Sequence, residues 1–446
     1  MNRLRILLFL QFSVWGAYLT CLGQFLGPAG LGRDIQWFYT AVGIVSLVMP
    51  ALMGNISDRW VMPQRLLAFC HLAAACFMAL AWLYARTHAQ LEFWPFFLLY
   101  LAFLAFYQPS IALANVTCFS LIRMAGREPR SVFPGVRMFG TLGFIAAMLF
   151  VNCFYFHDGA WGLTMSETSP MARYRFQYTD GMLLVSSILG FATFLYTLTL
   201  PRIAVYRSET HARKLGFIDL IGWRAFTLFR KRRLAVFFIF AILAGVCLQI
   251  TNGYATPFIT HFVGMPEYSD SFAAGNANLL FSLSQISELL CVLLIPFFLK
   301  RFGIKWTIAT SLLAWSLRFA LFGWGNPGDG LWMLILSMVV YGVAFNFFNI
   351  AGALYIEKEA PQRMKGASQG ILMLMSNGVG ATLGMMGAGA IVNRFCHWTM
   401  VDGRRLFMGD WETPWLIFAG YALAICVLFL IFFPGRKGLK SERVKE

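Results

Sequence analysis

Apolar residues run through this chain in stretches too long for the core of a soluble domain, and short polar segments separate them. About 20 apolar residues cross a bilayer as a helix. Runs of that kind recur at 5–27, 36–54, 66–86, 95–117, 134–157, 181–200, 234–257, 277–299, 304–325, 331–356, 367–392 and 413–434. The pattern predicts an all-α membrane protein with about twelve transmembrane helices. The longest polar interruption, 201–233, falls after the sixth run. It divides the chain into an N-terminal six-helix bundle (1–200), a linker (201–233) and a C-terminal six-helix bundle with a tail (234–446). Within the linker, Gly216 to Arg233 mixes apolar and basic residues at helical spacing, which suits a helix lying on an anionic membrane surface.

Composition agrees with the pattern. Of 446 residues, 59% are hydrophobic and only 13% charged, which excludes an ordinary soluble domain. The net charge of +16 could point to nucleic acid, but its distribution does not. With the N-terminus in the cytoplasm, 27 of the 36 lysines and arginines fall in cytoplasmic segments, against 7 in the opposite loops and 2 within spans. This positive-inside bias predicts a multi-pass plasma membrane protein (inner membrane in a Gram-negative cell) with both termini cytoplasmic. It leaves no role for nucleic acid. The nine cysteines form no CxxC pair and no metal-spaced cluster, so they read as small packing residues and no metal site is expected. No motif for a nucleophile, metal or phosphate is present, so the chain is not expected to be an enzyme.

One acid breaks the apolar pattern. Glu288 lies about ten residues into the run Asn278 to Leu299, near the bilayer centre. A carboxylate there is unfavourable by a few kcal/mol or more, and such residues usually face a cavity, a partner or a proton path. Polar and aromatic residues share helix faces around it by sequence spacing. These are Gln285 with Glu288, Gln249 with Asn252, Tyr341 with Phe345 and Asn349, and Arg137 with Thr141 and Phe144. Amides can pair with a base edge or sugar hydroxyls, and aromatic faces can stack on a planar base. Buried amides also hydrogen-bond between helices as simple structural glue. Arg318, in the ninth span, is expected to snorkel to the outer surface, and His71 to be a satisfied structural histidine. Glu357 and Glu359 beside Lys358 and Arg363 read as charge pairing at a helix end. The run Gly380 to Ala390 reads as small-residue packing.

Five stretches carry a family resemblance. GNISDRW followed by Arg65 resembles the loop between the second and third helices of the major facilitator superfamily. In that motif a glycine permits close helix approach, and an aspartate with basic residues latches one conformer. The matching positions are Gly54, Asp58, Arg59 and Arg65. FPGVRMFGTLGFIAAM (Phe133 to Met148), FFIFAILAGVCLQITN (Phe237 to Asn252), SLSQISELL (Ser282 to Leu290) and LSMVVYGVAFNFFNIAG (Leu336 to Gly352) are similar to the nucleoside:proton symporter family within that superfamily. The resemblance covers nearly the whole chain and is weakest from about His157 to Asp180. It implies a central cavity between the halves, lined by Arg137, Thr141 and Phe144 on one side. Gln249, Asn252, Gln285, Glu288, Tyr341 and Phe345 would line the other. Hydropathy alone would leave Arg137 near the cytoplasmic end of its span. The family motif FDFFN reads Phe345-Asn346-Phe347-Phe348-Asn349 here, so an amide that cannot titrate stands in place of an acid.

The expected function is therefore proton-coupled nucleoside uptake by alternating access. Glu288 would carry the proton, with no cofactor beyond that coupling ion, the lipid bilayer as environment, and the chain acting as a monomer. An uncoupled facilitator of nucleosides or of another small solute such as a sugar is the first alternative. A non-transporting membrane sensor is the second. The choice among purine, pyrimidine and xanthosine substrates stays open.

Overall fold

The computed structural model describes residues 1–127, 129–165, 169–202, 229–359, 371–401 and 404–433. Nine uninterrupted segments among these are long and apolar enough to cross a membrane. One of them, Asn2–Pro50, runs to 49 residues and reverses through the turn around Gly30, whose φ of 99° only glycine adopts readily. It crosses twice, which makes ten. The segments Ala277–Cys291 and Ile295–Trp324 form a bent pair, interrupted again at Gly303, where φ is 75° and ψ is 175°. That pair also crosses twice, which makes twelve.

The helices are named in chain order: α1 (Asn2–Tyr18), α2 (Ile35–Arg59), α3 (Pro63–Thr87), α4 (Phe93–Met124), α5 (Pro129–Cys153), α6 (Gly181–Leu198), α7 (Arg232–His261), α8 (Ala277–Cys291), α9 (Ile295–Trp324), α10 (Leu331–Glu359), α11 (Ala381–Phe395) and α12 (Glu412–Phe432). A π-helical segment, Leu374–Gly380, leads into α11. Most of the expected interfacial helix at Gly216 to Arg233 lies outside the described residues, as does Arg363.

Helices α1–α6 pack mainly on one another, as do α7–α12. Between the two groups, α2 packs on α11 and α5 on α8. The second helix of each half thus meets the fifth of the other, the pairing expected of a two-fold repeat. Small residues permit the α2–α11 contact: a Cβ on Gly43 of α2 would lie 2.5 Å from Thr382 Oγ1, and one on Gly389 of α11 would lie 2.7 Å from Gln36.

Two β-hairpins interrupt the all-α expectation, and each follows the fifth helix of its half. Strands β1 (Phe154–His157) and β2 (Ala160–Leu163) pair antiparallel, as do β3 (Cys396–Val401) and β4 (Arg404–Gly409). The β1–β2 hairpin has a two-residue loop, Asp158-Gly159; the residues between β3 and β4 also read Asp-Gly in the sequence and lie outside the described residues. That dipeptide tolerates the positive φ that such turns need, and Asp158 and Gly159 have φ of 49° and 79°.

The halves are joined at the hairpin end. Thr256 Oγ1 donates to the Thr20 carbonyl (2.6 Å), and Gln24 Nε2 donates to Thr260 Oγ1. Asn152 Nδ2 donates to Asn276 Oδ1 (2.9 Å), Arg175 to the Gly275 carbonyl (2.9 Å), and Asn278 Nδ2 to Gln177 Oε1 (3.0 Å). At the opposite end, which carries the termini, no side-chain hydrogen bond joins the halves among the described residues. A buried cluster there, with Phe237, Phe348, Tyr355 and Phe429, is built from C-terminal-half residues. The molecule is therefore closed at the hairpin end.

Candidate functional site

The N-terminal wall of the central region is made by α1 and α5, which touch backbone to backbone. A Cβ on Gly16 would lie 2.2 Å from the Phe144 carbonyl oxygen, and one on Gly143 would lie 2.1 Å from that of Phe9. Ser13 Oγ donates across the same contact to the Gly143 carbonyl (3.0 Å). With the backbones this close, large side chains turn to the flanks. The Arg137 guanidinium lies 3.9 Å from the Phe12 ring centroid, and Trp15 meets Phe144 edge to face at 6.3 Å. Arg137 is the ninth residue of α5, about 12 Å inside the helix at 1.5 Å per residue. It is half-buried, and its Nη1 is buried without a hydrogen-bond partner. Thr141 is half-buried one turn further on.

The C-terminal wall comes from α7, α8 and α10. Tyr341 and Phe345 stack in parallel, 5.7 Å between centroids with 3° between planes. Trp315 meets Tyr341 edge-on at 5.8 Å. Glu288 on α8 is half-buried although it sits mid-bundle, and Gln285 is buried one turn before it. Each of Arg137 and Tyr341 senses the charge of Glu288, yet Arg137 and Glu288 form no ion pair. A cation on one half and an anion on the other thus stand close enough to interact without forming an ion pair. Gln249 and Asn252 on α7 contact each other at 3.5 Å, the limit of a hydrogen bond.

Asn346 has a definite role in the packing. Its Nδ2 donates to the Glu288 backbone carbonyl at 2.5 Å, tying α10 to α8 at the central acid. The two helices are close there: a Cβ on Gly342 would lie 2.4 Å from the Ser287 carbonyl oxygen. An ionised carboxylate at 346 could not make this bond, because it has no proton to donate.

The snorkelling expected of Arg318 does not occur. Arg318 is fully buried and turns into the C-terminal half. It donates to the Ser337 carbonyl (2.5 Å) and Ser284 Oγ (3.4 Å), and lies 4.8 Å from the Tyr341 ring centroid and 4.9 Å from that of Phe322. Ring faces and a helix carbonyl, none visible by hydropathy, outweigh the pull of the interface. His71 contacts Gln11 Oε1 at 2.6 Å, and Gln11 Nε2 donates to Ser110 Oγ at 2.8 Å. That order makes His71 Nε2 the donor, while its buried Nδ1 has no hydrogen-bond partner, so the expected histidine is satisfied at one nitrogen only.

The latch positions flank the turn joining α2 to α3, at the end of α2 and the start of α3. Arg65 is exposed in the first turn of α3. The side chains of Gly54, Asp58 and Arg59 lie outside the described residues, as do those of Glu357 and Lys358. Sequence reasoning also passed over several neighbours of the site. Phe12 and Trp15 hold the Arg137 wall, and a small cavity of about 20 Å³ beside Phe345 is lined in part by Trp315, Asn349 and Asn377. Asn377 belongs to the π-helical segment, and such irregular turns occur often at functional sites. Ser376-Asn377-Gly378 inside an apolar run was the available signal.

Comparison with known proteins agrees with this architecture. The sequence profile described as nucleoside H+ symporter matches residues 1–437. The chain is 37% identical to xanthosine permease of Escherichia coli (strain K12), over 99% of this chain and 97% of that protein. It is 36% identical to nucleoside permease NupG of the same organism, over 97% of this chain and 95% of that protein. A crystal structure of nucleoside transporter NupG superposes with a TM-score of 0.80 at 35% identity, covering 98% of this chain and 99% of that one. The xylose transporter XylE from E. coli, 13% identical with a TM-score of 0.58, shares the fold. The fold is that of the major facilitator superfamily, the protein is a multi-pass membrane transporter and not an enzyme, and the chain belongs to the nucleoside H+ symporter family.

Proposed function

We propose that this protein takes up nucleosides with a co-transported proton, by alternating access, and that Glu288 carries the proton. The observation that carries the reading is that Arg137 and Glu288, on opposite halves, interact electrostatically without forming an ion pair. A buried charge opposes movement of the loaded carrier, and protonating Glu288 removes one. The stacked pair Tyr341 and Phe345 suits a planar base, and Gln249, Asn252 and Gln285 suit its hydrogen-bonding edge or the sugar hydroxyls. Arg137, Thr141 and Phe144 face them from the other half. The relatives named xanthosine permease and nucleoside permease support the substrate class. The charge bias supports cytoplasmic termini and a plasma membrane location, so the end closed by the hairpins faces outward and this conformation is open inward. The two six-helix halves rock about the central site, Gly54, Asp58, Arg59 and Arg65 latch one conformer, and the protein acts as a monomer.

The test is uptake of labelled uridine and adenosine into proteoliposomes with and without an inward proton gradient. Accumulation above the external level is expected only with the gradient. Glu288→Gln should abolish that accumulation, by tenfold or more, while nucleoside exchange persists. Full accumulation by the variant would refute the role of Glu288. Uptake that only equilibrates in the wild type would identify an uncoupled facilitator. The amide at 346 is the observation that favours this second reading.

A further inference from the structure

Most of the hydrogen bonds that join the halves converge on one stretch of the C-terminal half, Gly275 to Asn278, where the short helix Phe272–Gly275 meets the start of α8. Asn276 is the centre of that stretch and is fully buried. Its Oδ1 accepts from Asn152 Nδ2 (2.9 Å) and Arg175 Nη1 (3.1 Å). Its Nδ2 donates to the Met165 carbonyl (2.7 Å) and to the Phe272 carbonyl of its own half (2.9 Å). An amide offers two acceptor and two donor positions, so this one is fully used. Asn152, Met165 and Arg175 come from three segments of the N-terminal half: the end of α5, the loop after β2 and the turn before α6. One side chain thus fills a polar socket in the opposite half. Arg175 forms the floor of the socket and is also fully buried. Its Nη2 donates to the Gly275 carbonyl (2.9 Å), so both terminal nitrogens bond to the other half, while Nε donates to Ala172 of its own half (3.3 Å).

Such a seam is complete only at one relative position of the halves. Each bond is lost together with the others when the halves part, and water can replace each one without exposure of apolar surface. A buried cation adds a bias of its own. It is tolerated while its partners offset the lost hydration, and it becomes strongly unfavourable when one of them is removed. We infer that this socket is the gate of the hairpin end. The carrier opens on that side by withdrawing Asn276, and the guanidinium of Arg175, hydrated as its partners leave, favours the open state once Asn276 is out. Asn276 and Arg175 are therefore gating residues that set how the carrier divides its time between the two faces of the membrane. The inference rests on the alternating-access reading only in that this end must open.

Cys21 reports on this seam. It is fully buried, and Asn278 Nδ2 lies 3.0 Å from its sulfur. Cys70 on α3 and Cys118 on α4 are buried inside the N-terminal half and serve as controls. The test is alkylation of the purified full-length protein by a polar maleimide, followed residue by residue with peptide mass spectrometry. Cys21 of the wild type should react slowly. Asn276→Ala removes a partner from Arg175 and should speed alkylation of Cys21 by about tenfold or more, while Cys70 and Cys118 stay protected. Asn152→Ala leaves Arg175 donating to Asn276 and should have a smaller effect, about twofold to threefold. The double substitution R175M/N276A removes the charge along with its partner and should bring Cys21 back near the wild-type rate. An unchanged rate at Cys21 in Asn276→Ala overturns the gate. So does an equal rise at Cys70 and Cys118, which marks loosening of the whole half. A double variant as reactive as Asn276→Ala overturns the role of Arg175. The assay needs neither nucleoside nor proton gradient, so failure of the proposed substrate or coupling would leave its result intact.

Discussion

Each half of the molecule buries an arginine inside a helix, and the two are treated differently. Arg318 in the C-terminal half is fully enclosed, and its guanidinium is held by the Ser337 carbonyl, Ser284 and the faces of Tyr341 and Phe322. Its partners all belong to its own half and move with it. Arg137 in the N-terminal half rests on Phe12, leaves Nη1 without a hydrogen bond, and senses an anion that belongs to the other half. Removing a charge from water is unfavourable by several kcal/mol unless local partners offset it. For Arg318 the partners all lie within one rigid body, although its Nε also lacks a hydrogen bond, so the residue is part of a core. For Arg137 the offset depends on how the halves stand and on what lies between them, which suits a residue whose environment must change during transport.

Substitutions can break or sharpen this contrast. The largest effect on stability should come from Arg318→Ala, which removes charge-assisted hydrogen bonds and ring contacts and leaves a cavity. A loss of about 3 kcal/mol or more is expected, read as a lower thermal unfolding midpoint in detergent. Arg137→Leu should leave that midpoint within about 1 kcal/mol of wild type, since no hydrogen bond within its half depends on it, while uptake falls at least tenfold. Equal destabilisation by both substitutions would erase the distinction. The smallest effect should come from Asn346→Asp. A protonated aspartate can donate to the Glu288 carbonyl and an ionised one cannot, so the added stability is present at low pH and lost as pH rises. The variant should unfold about 1–2 kcal/mol more readily at pH 8 than at pH 5.5, relative to a wild type whose amide does not titrate. A pH-independent difference would mean that the bond to Glu288 O is dispensable.

The legible parts of the fold were those carried by local pattern. Every crossing could be read from hydropathy, and the glycine-rich run before Ala390 read correctly as packing, because small residues permit close approach whatever the fold. The hairpins were missed, although Asp158-Gly159 and Asp402-Gly403 are a strong short-range hairpin signal, because attention to apolar runs treats the polar segments between them as connectors. In the central region, spacing grouped Gln285 with Glu288 and Tyr341 with Phe345, since helical periodicity determines which residues share a face. Spacing said nothing of Phe12, Trp15 or Asn377, which reach the region only through the packing of other helices. It also misread Arg318, because a nearby interface is visible in sequence and a ring face on another helix is not.

By itself the sequence determined a multi-pass helical membrane protein, the number of its crossings, the isolation of one acid in mid-membrane and an amide that cannot titrate at position 346. These follow from local chemistry, since each apolar run must satisfy its own backbone as a helix in lipid. The tertiary structure alone decided that Arg137 faces Glu288 without pairing, that Arg318 turns inward, that Asn346 clamps α8 to α10, and that the halves join at the hairpin end. Each of these depends on residues distant in sequence, and their proximity arises only when the helices of the two halves pack against one another.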